Sequence, residues 1–211
     1  MLEISGSILK GDIHSQQNLD SIQADPIFAK RFINYLFTVH TMIRASVPLM
    51  HVAYKKCLQL EHDPLVSSLL LYYETHIEEE RDHDEWLLDD FEVIGIPRRE
   101  ILSRRPSLAV AELVGSQYYW TYHWHPVSLL GYIAVMEGYP PKKEDIIYLQ
   151  KRTGFSDKAF RTLSKHSFLD PRHRDDMNDL LNSLPLNPDQ EEWITLNALY
   201  TADRVREIIK Y

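Results

Sequence analysis

The 211-residue chain has a formal net charge of −8 and a single cysteine, Cys57. Its length suits one domain with a substantial core, and its acidic balance without a basic stripe disfavours nucleic acid as a partner. One cysteine excludes an intrachain disulfide and a cysteine-rich metal site. The sequence shows no secretory signal and no run of about 18–20 apolar residues that could span a membrane. We therefore expect a soluble cytoplasmic protein that does not enter a membrane.

The pattern predicts helices throughout, because only seven glycines are present and β-branched runs are scarce. Residues 1–24 are polar and weakly periodic, so we expect an N-terminal arm ahead of one helical domain over residues 25–211. Asp25-Pro26 predicts the start of a helix to about residue 60, kinked near Pro48. A second long helix is expected over residues 63–95.

The rest of the chain also predicts helices, separated by sites that contain proline or glycine. They are expected at about residues 106–124, 127–138, 143–153, 156–168, 170–181 and 188–209. The break before the fifth of these rests on Asp170-Pro171, since proline removes a helical hydrogen bond. The whole pattern predicts an all-α bundle with one core.

The second long helix carries ionisable residues on a stripe that otherwise faces the core. At 3.6 residues per turn the stripe contains Leu69, His76, Glu80, His83, Leu87 and Phe91. Buried carboxylates and imidazoles are costly unless they are paired or bind a metal. Glu80-x-x-His83 has the spacing of carboxylate metal sites in helical bundles. A charged outer helix face is the alternative for so short a motif.

Two later segments add further candidate ligands. Glu137 ends the apolar helix over residues 127–138, where a solvent-facing last turn is the alternative. His166-x-x-x-Asp170-x-x-His173 places three ligand types at i, i+4 and i+7. Asp170 as a helix cap beside two surface histidines is the alternative there. Taken together, these oxygen and nitrogen ligands suit a carboxylate-bridged pair of iron or manganese ions.

The three segments resemble, in order, the signature blocks of the haem-oxygenase-like dimetal oxidase and oxygenase superfamily. They read HIEEERDHDEWLLDDFEVIG, HPVSLLGYIAVMEGYPP and HSFLDPRH, and they span residues 76–173. The resemblance implies a seven-helix haem-oxygenase-like fold with two Fe(II) ions, manganese being the alternative metal. The ligands that it implies are Glu80, His83, Glu137, His166, Asp170 and His173.

The resemblance also implies that O2 is a co-substrate, with an external reductant left open. The expected substrate is a small organic molecule, such as an amino acid or other carboxylate. It would undergo C–H or C–C cleavage, N-oxygenation or nitrile formation, as in secondary metabolism. A homodimer is also left open.

The chain departs from the family pattern in the first block. In some members the glutamate lies seven residues before the histidine that corresponds to His83, and this chain has His76 at that position. In other members the glutamate lies three residues before that histidine, which matches Glu80. We take Glu80 as the ligand, and His76 and Glu79 as an extra ligand or as groups that orient one.

An aromatic run supplies a candidate substrate pocket. Its members would be Tyr73 from the second long helix and Tyr118 and Tyr122 from the run over residues 117–125. Plain core packing is the alternative for such residues.

Three other functions remain open at this point. A metal-independent relative of the thiaminase or quinone-cofactor-synthesis type would keep the fold. The thiaminase type relies on a catalytic cysteine in the middle of the chain, whereas Cys57 lies early and in an apolar context, where a thiol is usually unreactive. A true haem oxygenase would need an axial histidine such as His14 or His40. A non-catalytic iron-binding helical protein would use the ligands without turnover.

Overall fold

The computed structural model describes residues 22–209, and all regular structure in this range is helical. The α-helices are α1 (Pro26–Cys57), α2 (Val66–Glu79), α3 (His83–Ile94), α4 (Arg98–Ser103), α5 (Leu108–His123), α6 (Leu129–Glu137), α7 (Lys143–Thr153), α8 (Arg161–Ser183) and α9 (Pro188–Ile209). Short 3₁₀ turns cover Pro126–Ser128 and Asp157–Phe160. The all-α prediction is confirmed. The predicted arm over residues 1–24 lies almost wholly outside the described residues.

Helix α1 starts where the sequence predicts. The Asp25 carboxylate accepts hydrogen bonds from the backbone N–H groups of Ile27 at 2.9 Å and Phe28 at 3.2 Å. Pro26 occupies the first turn, where its missing N–H costs nothing. The helix continues through Pro48 to Cys57 and contacts α2, α3, α5 and α7. It is therefore the long central element of the bundle.

The buried apolar side chains of residues 22–209 form two clusters instead of the single core that the sequence predicts. One cluster includes Leu69 and Tyr73 of α2, and the other includes Leu87 and Phe91 of α3. The short connection over residues 80–82 joins α2, which contributes to one cluster, to α3, which contributes to the other, and it carries Glu80. The division into two clusters places polar groups in the interior of the molecule.

The predicted helix over residues 63–95 is in fact two helices, α2 and α3. The chain breaks between them at Asp82, which adopts a left-handed conformation with φ of 65°. Aspartate tolerates this conformation better than most residues, and no glycine or proline marks the site in the sequence. The prediction that the stripe faces the core is confirmed despite the break, because all six of its residues are buried.

The predicted break at Asp170-Pro171 is absent, and α8 runs uninterrupted through Pro171. A proline removes one backbone hydrogen bond, and in this helix buried residues lie on both sides of it. Thr162, Asp170, His173 and Met177 are buried along this one helix. The split of α2 from α3 and the short α4 explain why the described residues have more helices than the seven that the resemblance implies.

Helices α6 and α9 cross in close contact at Gly131. A Cβ atom at this position would lie 2.3 Å from the Ile194 carbonyl oxygen and 2.9 Å from the Ala198 nitrogen. Nearby, the buried Asn197 side chain donates to the Gln117 side chain at 2.7 Å and to the Ser128 carbonyl at 2.6 Å. This crossing fixes α6 and, with it, the position of Glu137. None of the described helices is apolar enough over a sufficient length to cross a membrane.

Candidate metal centre

Four helices bring ionisable side chains to one buried place. They come from the end of α2, the α2–α3 connection and start of α3, the end of α6 and the middle of α8. His76, Glu80, His83, Asp170 and His173 are each less than 8% exposed, between 1% and 7%, and Glu137 and His166 are half-buried. Such burial is costly for polar groups unless each finds a partner.

The first group of potential ligands contains His76, Glu80, Glu137 and His173, and one ligand atom from each lies within 4.8 Å of the others. Nε2 of His76 lies 2.8 Å from Oε1 of Glu137. Nδ1 of His173 lies 3.5 Å from Oε1 of Glu80 and 3.6 Å from Oε2 of Glu137. Two imidazoles and two carboxylates thus surround one point.

The second group contains Glu80, His83 and His166, again within 4.8 Å of one another. Nδ1 of His83 lies 3.0 Å from Oε2 of Glu80, and the His83 and His166 rings meet edge to face with centroids 5.0 Å apart. Nδ1–H of His166 donates to the Thr162 carbonyl at 2.9 Å, which leaves Nε2 free as an acceptor. Glu80 belongs to both groups, as a carboxylate that bridges two ions would.

The donor set fits metal ions because several buried atoms have no hydrogen-bond partner within residues 22–209. These atoms are Oε1 of Glu80, Nδ1 and Nε2 of His83, Oε2 of Glu137, Oδ1 of Asp170 and Nδ1 of His173. A buried polar atom without a partner costs about 1–3 kcal/mol. Because many such atoms meet at one place and all of them are of types that bind metals, bound metal ions would supply the partners that they lack.

The pKa values of the site show how strongly its charges interact. Burial alone would raise the pKa of Glu80, but the His83 imidazole, whose Nδ1 lies 3.0 Å from Oε2 of Glu80, lowers it on balance. Burial raises the pKa of Glu137 despite its hydrogen bond from His76. Burial and the Glu137 charge raise the pKa of Asp170 to about 8. Without metal, the site therefore holds protons that ion binding must displace.

The histidines of the site separate into two kinds by their pKa. Burial works against the charged form of His76, but the Glu137 hydrogen bond outweighs it and raises the pKa of His76 to about 9. Burial lowers the pKa of His166 and of His173. The latter two are therefore neutral near pH 7, which is the form that binds metal.

Five of the six predicted ligands fall within the two groups, and the sixth lies beside them. Asp170 is buried and is affected by the charges of Glu137 and Glu80, but it belongs to neither group. His76, predicted as an extra ligand or an orienting residue, lies in the first group. Glu79 lies 3.4 Å from His76 Nδ1 and accepts from Arg172 at 2.9 Å. Its position suits a residue that orients His76.

The three tyrosines of the predicted pocket have different surroundings. The Tyr73 hydroxyl is fully buried and donates to the Pro126 carbonyl at 2.9 Å, so packing of the helices uses it. Tyr122 is 55% exposed, and Tyr118 is partly buried against the first apolar cluster. Core packing, the alternative given for these tyrosines, describes the surroundings of Tyr73.

Two aromatic residues at the centre were not identified from the sequence. Trp86 stacks on His83 with ring centroids 4.0 Å apart, and the Lys165 ammonium lies 3.5 Å from the Trp86 ring centroid. Tyr72 stacks on His76 with centroids 5.1 Å apart. Their spacing, i+3 from His83 and i−4 from His76, places each on the side of the helix that bears the ligand. This spacing is the feature of the sequence from which the positions of Tyr72 and Trp86 beside the ligands could have been predicted.

Solved structures with low sequence identity share the fold. A domain of unknown function with a heme oxygenase-like fold from Shewanella denitrificans is 18% identical with a TM-score of 0.69, covering 90% of this chain and 85% of that one. A TenA homologue from Pseudomonas syringae pv. tomato is 10% identical with a TM-score of 0.67, covering 86% and 78%. A CADD-like protein of unknown function from Nostoc punctiforme is 14% identical with a TM-score of 0.63, covering 88% and 85%.

These likenesses confirm the predicted haem-oxygenase-like fold. A comparison with curated proteins finds no significant match. The model of a family described as iron-containing redox enzyme matches residues 70–203, more than half of the chain. This chain therefore belongs to the iron-containing redox enzyme family.

Proposed function

We propose that the protein is a non-haem diiron oxidase or oxygenase that uses O2 to oxidise a small organic substrate. The observation that carries this proposal is the pair of buried ligand groups that share Glu80. One group alone would suit a structural ion as well as a reactive one. Two groups joined by one carboxylate are the arrangement that helical bundles use for pairs of iron or manganese ions.

Each side chain has a task in this proposal. His76, Glu80, Glu137 and His173 would hold one ion, and Glu80, His83 and His166 the other. Bound Fe(II), or manganese in its place, would supply the redox chemistry with O2, and an external reductant would restore the reduced state. Asp170, whose pKa is about 8 in the metal-free site, would hold a proton there and, after losing it to ion binding, could complete the coordination.

The surroundings of the ligands would limit side reactions by excluding water. The Tyr72 ring covers His76, and the Trp86 ring covers His83. Leu69, Leu87 and Phe91 continue the ligand-bearing stripe and are at most 1% exposed. A dry site strengthens electrostatic interactions and prevents hydrolysis of reactive species. The substrate that we expect is an amino acid or another carboxylate of secondary metabolism.

Oxygen uptake tests this function. The protein is loaded anaerobically with Fe(II) and mixed with O2 and a panel of amino and fatty acids. We expect uptake that requires both iron and a panel member, and a decrease of about 10–100-fold or more in Glu80→Gln, because both ions lose a ligand. His51→Ala is the control, since His51 is exposed on α1. Uptake no faster than that of metal-free protein would favour an iron-binding protein without turnover.

The metal-independent alternative is favoured by the TenA homologues among the structural neighbours, from Pseudomonas syringae and Pyrococcus furiosus. At 10% and 12% identity these likenesses bear on the fold only. Cys57 is fully buried, and burial raises the pKa of its thiol to about 12. A thiol in this state is a poor nucleophile. For the haem alternative, His14 lies outside the described residues and the His40 ring is completely buried.

A further inference from the structure

Glu79, the last residue of α2, faces both imidazoles of the first ligand group. Its Oε2 atom lies 3.4 Å from Nδ1 of His76 and 4.0 Å from Nε2 of His173. The two imidazole rings meet edge to face, with centroids 5.0 Å apart. One carboxylate oxygen is therefore close to a ring nitrogen of each histidine, although the two histidines come from different helices.

The opposite nitrogen of each ring faces the carboxylates of the ligand group. Nε2 of His76 lies 2.8 Å from Glu137, and Nδ1 of His173 lies 3.5 Å from Glu80 and 3.6 Å from Glu137. A neutral imidazole binds a metal through one nitrogen and carries its proton on the other. An ion in this group would therefore be bound through Nε2 of His76 and Nδ1 of His173, which leaves both N–H groups on the side of Glu79.

Arg172 of α8 holds the Glu79 carboxylate from the solvent side. Its Nη2 atom donates to Oε1 of Glu79 at 2.9 Å, and its Nε atom lies 3.5 Å from Oδ2 of Asp176. The Arg172 side chain is 71% exposed and that of Glu79 is 23% exposed, whereas the His76 and His173 side chains are 3% exposed. The pair of Arg172 and Glu79 thus lies between the buried histidines and solvent.

Two neighbouring ion pairs differ from this one in what they join. Glu78 pairs with Arg81, and Arg174 pairs with Asp175, so each of them links residues that are close in the sequence. Neither pair includes a member of the ligand groups. Arg172 and Glu79 are 93 residues apart and connect the ligand-bearing helices α8 and α2. The neighbouring pairs are therefore matched controls for it.

We propose that Glu79 and Arg172 are positioning residues that fix both imidazoles of the first ligand group, so that a partly exposed ion pair sets the affinity of this group for its ion. The inference rests on the proposed function, because that ion is one of the iron pair. Glu79 would accept from the N–H groups of His76 and His173 and make both rings stronger donors to the metal. Arg172 would keep the carboxylate turned toward the histidines, so that Glu79 is not itself a ligand.

Fe(II) affinities of variants that retain a single ion test this assignment without any turnover. His166→Ala removes a ligand of the second group only, and His173→Ala removes a ligand of the first group only. Adding Glu79→Gln should weaken the ion retained by His166→Ala about tenfold or more, and should leave the ion retained by His173→Ala unchanged. Competition with a chelator under anaerobic conditions measures both affinities.

Substitutions of the arginine separate positioning from a general structural effect. Arg172→Met should weaken the first ion about fivefold, which corresponds to the loss of one exposed ion pair, and Arg172→Lys should restore most of the affinity. The thermal midpoint of the metal-free protein should change by no more than about 3 °C in Arg172→Met. Glu78→Gln and Arg174→Met are the controls and should leave both ions unaffected.

The outcomes distinguish this inference from the proposed function. Equal losses for the two ions, or an effect of Glu78→Gln as large as that of Glu79→Gln, would overturn the positioning roles. If the wild type binds two iron ions and Glu79→Gln leaves the first ion unaffected, only these roles are lost. If the affinities change as expected and no substrate supports oxygen uptake, the roles stand and the oxidase function is lost. A wild type that takes up no iron would contradict both.

Discussion

His83 illustrates how a ligand can be held without the usual hydrogen bond. Metal-bound histidines generally donate their second ring nitrogen to a carbonyl or carboxylate, which fixes the orientation of the ring. His166 does this through Thr162. Nδ1 of His83 lies 3.0 Å from Oε2 of Glu80 but outside hydrogen-bond geometry, and Nε2 has no hydrogen-bond partner in the described part of the chain. The His83 ring instead packs against Trp86, whose ring in turn lies close to the Lys165 ammonium. Aromatic stacking would replace the missing hydrogen bond.

Substitution of Trp86 tests this role in positioning His83. Trp86→Leu should weaken iron binding by about tenfold, the usual cost of removing a group that orients a ligand. Trp86→Phe keeps an aromatic face and should bind iron nearly as well as the wild type. Competition with a chelator measures both affinities. Trp193→Leu, which disturbs the separate cluster of Trp193 with Trp120 and Trp124, is the control. Equal losses in Trp86→Leu and Trp86→Phe would rule out stacking as the cause.

The sequence predicted most of the residues that form the two candidate ligand groups, and there are physical reasons for those that it did not predict. Glu80, His83, His166 and His173 are identifiable because helical spacing places them on core-facing stripes. Glu80 was chosen from the sequence, and it lies in both groups, while His76 joins it in the first. The break at Asp82 was not predictable, because an aspartate with positive φ forms it and no glycine or proline marks it. The roles of Tyr72 and Trp86 depend on contacts across the bundle, which spacing alone leaves undetermined.

Helices α3 and α8 are linked by polar contacts that fix the second ligand group. The buried Asp90 carboxylate of α3 accepts from the Thr162 backbone N–H at the start of α8, at 2.9 Å. Asp89 pairs with Arg161 in the same place. These contacts set the position of α8 relative to α3, and therefore that of His166 relative to His83.

The close crossing of α6 and α9 gives a prediction about stability. Gly131→Ala should lower the free energy of unfolding by about 1–3 kcal/mol, because the new methyl group meets backbone atoms of α9 that cannot move separately. Urea denaturation measures the change. Gly115→Ala is the matched control: a Cβ atom there has no neighbour within 4 Å, and alanine should stabilise α5 by about 0.5–1 kcal/mol. A neutral effect at Gly131 would show that the two helices separate easily.

At the scale of the whole molecule, the sequence predicted the fold class. It predicted only in part how the helices pack against one another. Helical periodicity and proline spacing gave the order of the helices, and the family match over residues 70–203 agrees with the three blocks recognised in the sequence. The two apolar clusters were not predicted, because periodicity shows which face of a helix is buried and not which other helix covers it. Their separation leaves room inside the bundle for an ionisable centre.

The account depends on two ions that share Glu80, and metal content per chain tests this most directly. Elemental analysis of protein loaded with Fe(II) and freed of loosely bound iron should give about two iron atoms in the wild type and in the exposed control His51→Ala. His166→Ala should lose the ion of the second group, and Glu80→Gln should retain little of either. One iron atom or none in the wild type, or two retained by Glu80→Gln, would contradict the account.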